Sequence, residues 1–217
     1  MRELNVAATT HGRVLVEGEA DGGPLRLLAG FHGYAQNADE MMEMLRGIPL
    51  DGSWTRVSIQ GLHRFYRRRA QTTVASWMTR QDRETLIADN VGYVGAALAA
   101  VAGSRAIDRL ALCGFSQGVA MAFRAGILGP RRAEAIAAFG GDVPPELLPD
   151  AGMRAWPRVL LARGAADEFY SADKMAHNAA ALAAAGVRSE TFTYPGGHEW
   201  TAECAARTAR FISSSAA

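Results

Sequence analysis

What this chain lacks narrows its class before any motif is read. Only two cysteines, Cys113 and Cys204, occur in 217 residues, and no local spacing pairs them, so no disulfide scaffold is expected. No window approaches 18 uninterrupted apolar residues, and no membrane span is expected. The segment Met1-Arg2-Glu3-Leu4-Asn5-Val6 lacks the charged-then-apolar order of a signal peptide. Together these point to a reducing, cytoplasmic setting. Net charge is only +1, so no global field draws the chain to nucleic acid or to an anionic membrane. Arg64, Arg67, Arg68 and Arg69 form one local basic run, which reads as a solvated face or as a site for anionic head groups. Repeats and low-complexity linkers are missing. The histidines and cysteines are scattered without ligand spacing, so no metal site is expected.

What is present is an ordinary globular balance, 49% hydrophobic and 21% charged, in a length that suits one domain over residues 1–217. Short apolar strands alternate with helical stretches. The strands are Val14-Leu15-Val16, Leu25 to Phe31, Arg56 to Gln60, Arg109 to Cys113, Ala135 to Phe139, Arg158 to Ala162 and Glu190 to Tyr194. Helices are expected at Asp39 to Leu45, Glu84 to Val101, Gln117 to Leu128, Asp173 to Ala185 and Glu199 to Ile212. Such alternation builds an α/β fold, a mostly parallel sheet of about seven strands with helices on both faces. Gly61 to Arg83 has no clear periodicity; it is too short for a lid domain and suits the rim of a pocket. Sites in these sheets lie where the strands run out.

One strand end carries Gly114-Phe115-Ser116-Gln117-Gly118, with an apolar strand before it and a helical stretch after it. A G-x-S-x-G turn in that setting lifts a serine hydroxyl above the sheet edge and aims fresh helix amides at whatever binds there. Ser116 is therefore the candidate nucleophile. It needs a base, and His198 follows Tyr194-Pro195-Gly196-Gly197 directly after a predicted strand. His32 also ends a strand, but its surroundings suggest another role; His11, His63 and His177 have no comparable setting. The imidazole in turn needs an acid. Asp167 closes Gly164-Ala165-Ala166-Asp167 after the Arg158 strand, and it is preferred over Asp142 and Glu168 because the order Ser, Asp, His suits this fold. Backbone amides of Gln117 and Tyr34 are the candidate oxyanion donors, Tyr34 coming from the loop Phe31-His32-Gly33-Tyr34-Ala35-Gln36. Trp77, Phe169 and Tyr170 are candidate substrate contacts, a role in the buried core being the alternative for each.

These patches resemble the phospholipase/carboxylesterase family of small α/β-hydrolases, which includes acyl-protein thioesterases. The matching pieces are Phe31-His32-Gly33-Tyr34, the Ser116 pentapeptide, Gly164 to Asp167 and Tyr194 to His198, with Ala75-Ser76-Trp77 a weaker match. The resemblance implies an α/β-hydrolase fold without a large lid domain. It also implies a cofactor-free serine hydrolase acting on small-molecule carboxylic esters or thioesters, with Ser116, Asp167 and His198 as its triad. Ala35 stands where that family commonly has glycine, Val119 where it has a smaller residue, and Phe169-Tyr170-Ser171 where it often has Val-Pro. Two alternatives share these residues: an acyltransferase or perhydrolase with the same triad, and a binding module that kept the fold and lost the reaction. Acyl length, ester against thioester or lysophospholipid, the leaving group and the oligomeric state (homodimer included) are left open by the sequence.

Overall fold

The structure, a computed structural model, describes residues 1–18, 23–68, 71–148 and 155–214. Arg69 of the basic run lies outside the described residues. Strands β1 (Val14–Glu17), β2 (Leu25–Phe31) and β3 (Trp54–Ile59) belong to one sheet with β6 (Ile107–Phe115), β7 (Ala135–Phe139), β8 (Arg158–Gly164) and β9 (Ser189–Tyr194). The sheet order is β1-β3-β2-β6-β7-β8-β9. Only β1 runs antiparallel to its neighbour, Val14 lying opposite Ile59. The mostly parallel seven-stranded sheet is therefore as expected.

The central strands are apolar along their length because both faces are covered. Residues of β2 alternate between two cores. Leu25, Leu27, Ala29 and Phe31 join α2 (Arg83–Ala102), α3 (Gln117–Leu128) and Leu182 of α4 (Ala172–Ala184). Leu28 faces the other way, toward Met41, Met42 and Leu45 of α1 (Ala38–Arg46) and Phe211 and Ile212 of α5 (Ala202–Ser213). Helix α2 has the length and hydropathy to cross a membrane. Here its Val94, Ala97, Leu98 and Ala102 are buried in the first core.

Two boundaries differ from expectation for identifiable reasons. Helix α5 begins at Ala202 rather than Glu199, because the Thr201 hydroxyl caps it by accepting the Cys204 amide. Glu199 and Trp200 thus stay in the loop that carries His198. The segment without periodicity contains a hairpin, β4 (His63–Tyr66) paired antiparallel with β5 (Thr73–Ser76). Its β4 strand is mostly exposed, so no buried face imposed a readable alternation. In the basic run, Arg64 donates to the His11 carbonyl, and Arg67 to the Ala35 carbonyl and the Glu40 carboxylate, so both hold local structure.

Helix α3 enters the sheet very closely. A Cβ on Gly118 would stand 2.0 Å from the Phe31 carbonyl oxygen, a backbone atom with no freedom to yield. Gly118→Ala should therefore destabilise the protein by about 3 kcal/mol or more, lowering Tm by roughly 6–12 °C in a thermal melt. An unchanged Tm would show that the helix is not pressed against that strand end.

Candidate active site

Ser116 stands between β6 and α3 with φ 54° and ψ −121°, a conformation that side-chain-bearing residues rarely adopt. Its surroundings hold it there. The Ser116 amide donates to the Phe139 carbonyl at 2.8 Å, tying the turn to the end of β7. A Cβ on Gly114 would fall 2.6 Å from Val119 Cα, and one on Gly141 would fall 2.5 Å from the Ser116 carbonyl oxygen. The chain can close this tightly only because those positions are glycine.

The same end of β7 carries the other two groups. Gly140 has φ +68°, and a Cβ there would lie 2.9 Å from His198 Cε1 and 3.3 Å from Asp167 Oδ2. His198 Nδ1 donates to Asp167 Oδ2 at 2.9 Å. The other carboxylate oxygen accepts the amides of Phe169 and Tyr170, both at 2.9 Å. Burial disfavours the charge on Asp167, but the Tyr170 amide, His198 and the Phe169 amide outweigh it. The carboxyl is held below the usual aspartate range. Rings flank the imidazole, Phe115 at 5.1 Å and Phe169 at 5.0 Å between centroids. Among the described residues the Ser116 hydroxyl makes no hydrogen bond.

The loop after β2 reaches over this turn, a Cβ on Gly33 lying 3.2 Å from Ser116 Cβ. Fully buried His32 shapes the loop. Its Nε2 accepts the Gly61 amide at 2.9 Å, so the proton sits on Nδ1, which donates to the Gly33 carbonyl at 2.7 Å. Burial pushes the His32 pKa down, which keeps this ring neutral. The amides of Tyr34 and Gln117, by contrast, have no acceptor among the described residues. Both belong to segments converging on Ser116.

Sequence reasoning missed the side chain of Gln117. Its Oε1 accepts the Trp77 amide at 3.0 Å, and its Nε2 donates to the Met78 carbonyl at 3.1 Å, clamping the hairpin rim to the elbow. Of the three candidate substrate contacts, two are corrected. Trp77 is 1% exposed, packed on Phe31 and donating from Nε1 to the His32 carbonyl. Tyr170 is also 1% exposed; its hydroxyl accepts from Asn178, and burial pushes its pKa up to about 12. Both are large aromatics whose shape is used inside the core. Phe169 is 70% exposed and remains at the surface beside His198. Asp142, the rival acid, is occupied instead by Asn178.

A groove of about 460 Å³ opens on His198. Its walls are Gln36, Glu43 and Met44 from the α1 side, with Phe115, Glu199 and Trp200 around the imidazole. Gln36 and Phe115 come from segments already singled out in the sequence. The only signal for Glu199 and Trp200 was their adjacency to His198.

A serine at a strained strand-to-helix turn, with an aspartate-bound histidine beside it, defines a class, and the comparisons agree. Residues 31–216 match the family described as Phospholipase/Carboxylesterase, and the chain belongs to that family. It is thus a hydrolase of the carboxylesterase and phospholipase type. Solved structures with the same α/β-hydrolase fold include esterase PE8, 19% identical, with a TM-score of 0.76 over 94% of this chain and 98% of that one. Acyl-protein thioesterase 2 of Zea mays is 18% identical, with a TM-score of 0.70 over 93% and 98%. The Bacillus cereus carboxylesterase is 18% identical, with a TM-score of 0.67 over 93% of each chain. No curated protein matches the sequence.

Ala35, in the loop after β2, has φ 58° where the family commonly has glycine, a left-handed conformation that strains a residue with a side chain. Its amide donates to the Ala75 carbonyl and its carbonyl accepts from Arg67, which fixes that conformation. Ala35→Gly should stabilise the protein by about 1 kcal/mol, a rise of ~2–4 °C in Tm. A lower Tm would mean that Ala35 is not held in the left-handed region.

Proposed function

We propose that this protein hydrolyses carboxylic esters of short to medium acyl chain through an acyl-serine intermediate. Ser116 is the nucleophile, His198 the general base and acid, and Asp167 its ionised partner. The observation that carries this reading is the 2.9 Å bond from His198 Nδ1 to Asp167 Oδ2 beside the strained turn of Ser116. With Nδ1 committed to the carboxylate, Nε2 is left to accept the serine proton.

Ser116 Oγ attacks the carbonyl carbon as His198 takes its proton, and the carbonyl electron pair moves onto oxygen. The amides of Tyr34 and Gln117 receive that oxyanion, each donor contributing roughly 3–4 kcal/mol to the barrier reduction. Collapse expels the alcohol or thiol, protonated by His198. Water then repeats the sequence and frees the acid. The exposed Phe169 ring beside His198 and the neighbouring groove are the surfaces offered to a small ester. Thioesters and lysophospholipids meet the same chemistry. Both cysteines are unpaired and buried, which supports a reducing, cytoplasmic setting.

Ser116→Ala should lower kcat on p-nitrophenyl butyrate by at least ~10³-fold with an unchanged circular dichroism spectrum. Near-parental turnover would overturn the nucleophile assignment. Asp167→Asn retains an acceptor oxygen for the Phe169 and Tyr170 amides but offers the ring an amide in place of a carboxylate. Steady-state kinetics should then show kcat reduced about 10³–10⁴-fold and KM changed little. A loss under about tenfold would remove Asp167 from the machinery.

A further inference from the structure

The groove beside His198 carries more charge of one sign than ester cleavage itself requires. Two carboxylates, Glu43 and Glu199, stand among its walls, with no lysine or arginine among the described residues that line it. Arg46, the cation paired with Glu43, is shared with Glu17, which also feels the charge of Arg56, so Glu199, in no ion pair among the described residues, is the less compensated of the two acids. Glu199 Oε1 accepts the Gly197 amide at 3.1 Å, which ties its carboxylate to the loop that carries His198 without adding a positive charge. Between the acids lie apolar surfaces, Met44 and the rings of Phe115 and Trp200. Aromatic faces with carboxylates nearby are the chemistry that receives an ammonium group and repels a carboxylate.

Resting on the hydrolase reading above, we propose that this groove holds the leaving group and selects one bearing an ammonium over one bearing a carboxylate. His198 returns its proton to the departing oxygen, so the leaving group departs beside its ring. The ring opens onto this cavity of about 460 Å³. A charge about 4 Å from one carboxylate in a water-like dielectric changes its binding roughly fivefold. The cationic and anionic esters shift in opposite directions, so their ratio changes by more than either alone.

The test uses three acetate esters of similar size: 2-(trimethylammonio)ethyl acetate, its uncharged isostere 3,3-dimethylbutyl acetate, and the anion 4-acetoxybutyrate. In dilute buffer, kcat/KM for the cation should exceed that for the anion by at least about tenfold, with the neutral ester between them. The ratio should fall severalfold in Glu43→Gln combined with Glu199→Gln, the latter keeping the oxygen that accepts the Gly197 amide. It should fall similarly in 0.5 M salt, through screening. A ratio below about tenfold, or one unmoved by the double substitution, overturns the inference. If the neutral ester is still hydrolysed in a Ser116-dependent manner, the hydrolase reading stands regardless. Absence of turnover on the neutral ester would sink both.

Discussion

The backbone of Ser116 is the constraint on which the rest of the molecule depends. At φ 54° and ψ −121° it stores strain on the order of 1–3 kcal/mol, and that strain persists only because the neighbours leave no alternative. Gly114, Gly118 and Gly141 let three strand ends, those of β2, β6 and β7, and a helix start converge where side chains would collide. The hydrogen bond that the Ser116 amide donates to the Phe139 carbonyl then aligns β6 with β7 at the point of convergence. Because Gly140 follows at once, lying against His198 and Asp167, the same strand end that restrains the serine also packs against both of these side chains.

Around that turn, polar side chains do positioning work over long sequence separations. His32 spans from Gly33 to Gly61 and Gln117 reaches Trp77 and Met78, while more locally Asp167 gathers the amides of Phe169 and Tyr170. Buried polar groups are costly unless each finds a partner, so a satisfied network of this kind rigidifies the site. The loop over Ser116 is thereby anchored from both sides, through Gly61 and through the Gln36–Ala75 bridge.

Much of this was legible in the sequence because strand ends punctuated by glycine have few uses. The Ser116 pentapeptide, the Asp167 turn and the Gly196-Gly197-His198 loop each mark a place where the backbone must bend sharply beside a reactive side chain. The seven strands of the sheet were readable from their apolar runs. The hairpin β4–β5 was not, since His63, Arg64 and Tyr66 point into solvent and leave no alternation. Nor does sequence distinguish an aromatic that lines a pocket from one that fills a core. Trp77 and Tyr170 proved to be core because their polar atoms are bonded inward. The acidic groove was invisible for another reason: Glu43 and Glu199 are brought together only by the packing of α1 against the sheet end.

The central claim is that Ser116 becomes reactive only through the imidazole of His198. Peptide mapping by mass spectrometry after brief fluorophosphonate treatment tests it most directly, in the parent protein and in His198→Ala. The account predicts a single adduct on Ser116 in the parent and labelling slowed by orders of magnitude in the variant. An adduct on another residue, or equal labelling rates in both proteins, would contradict it.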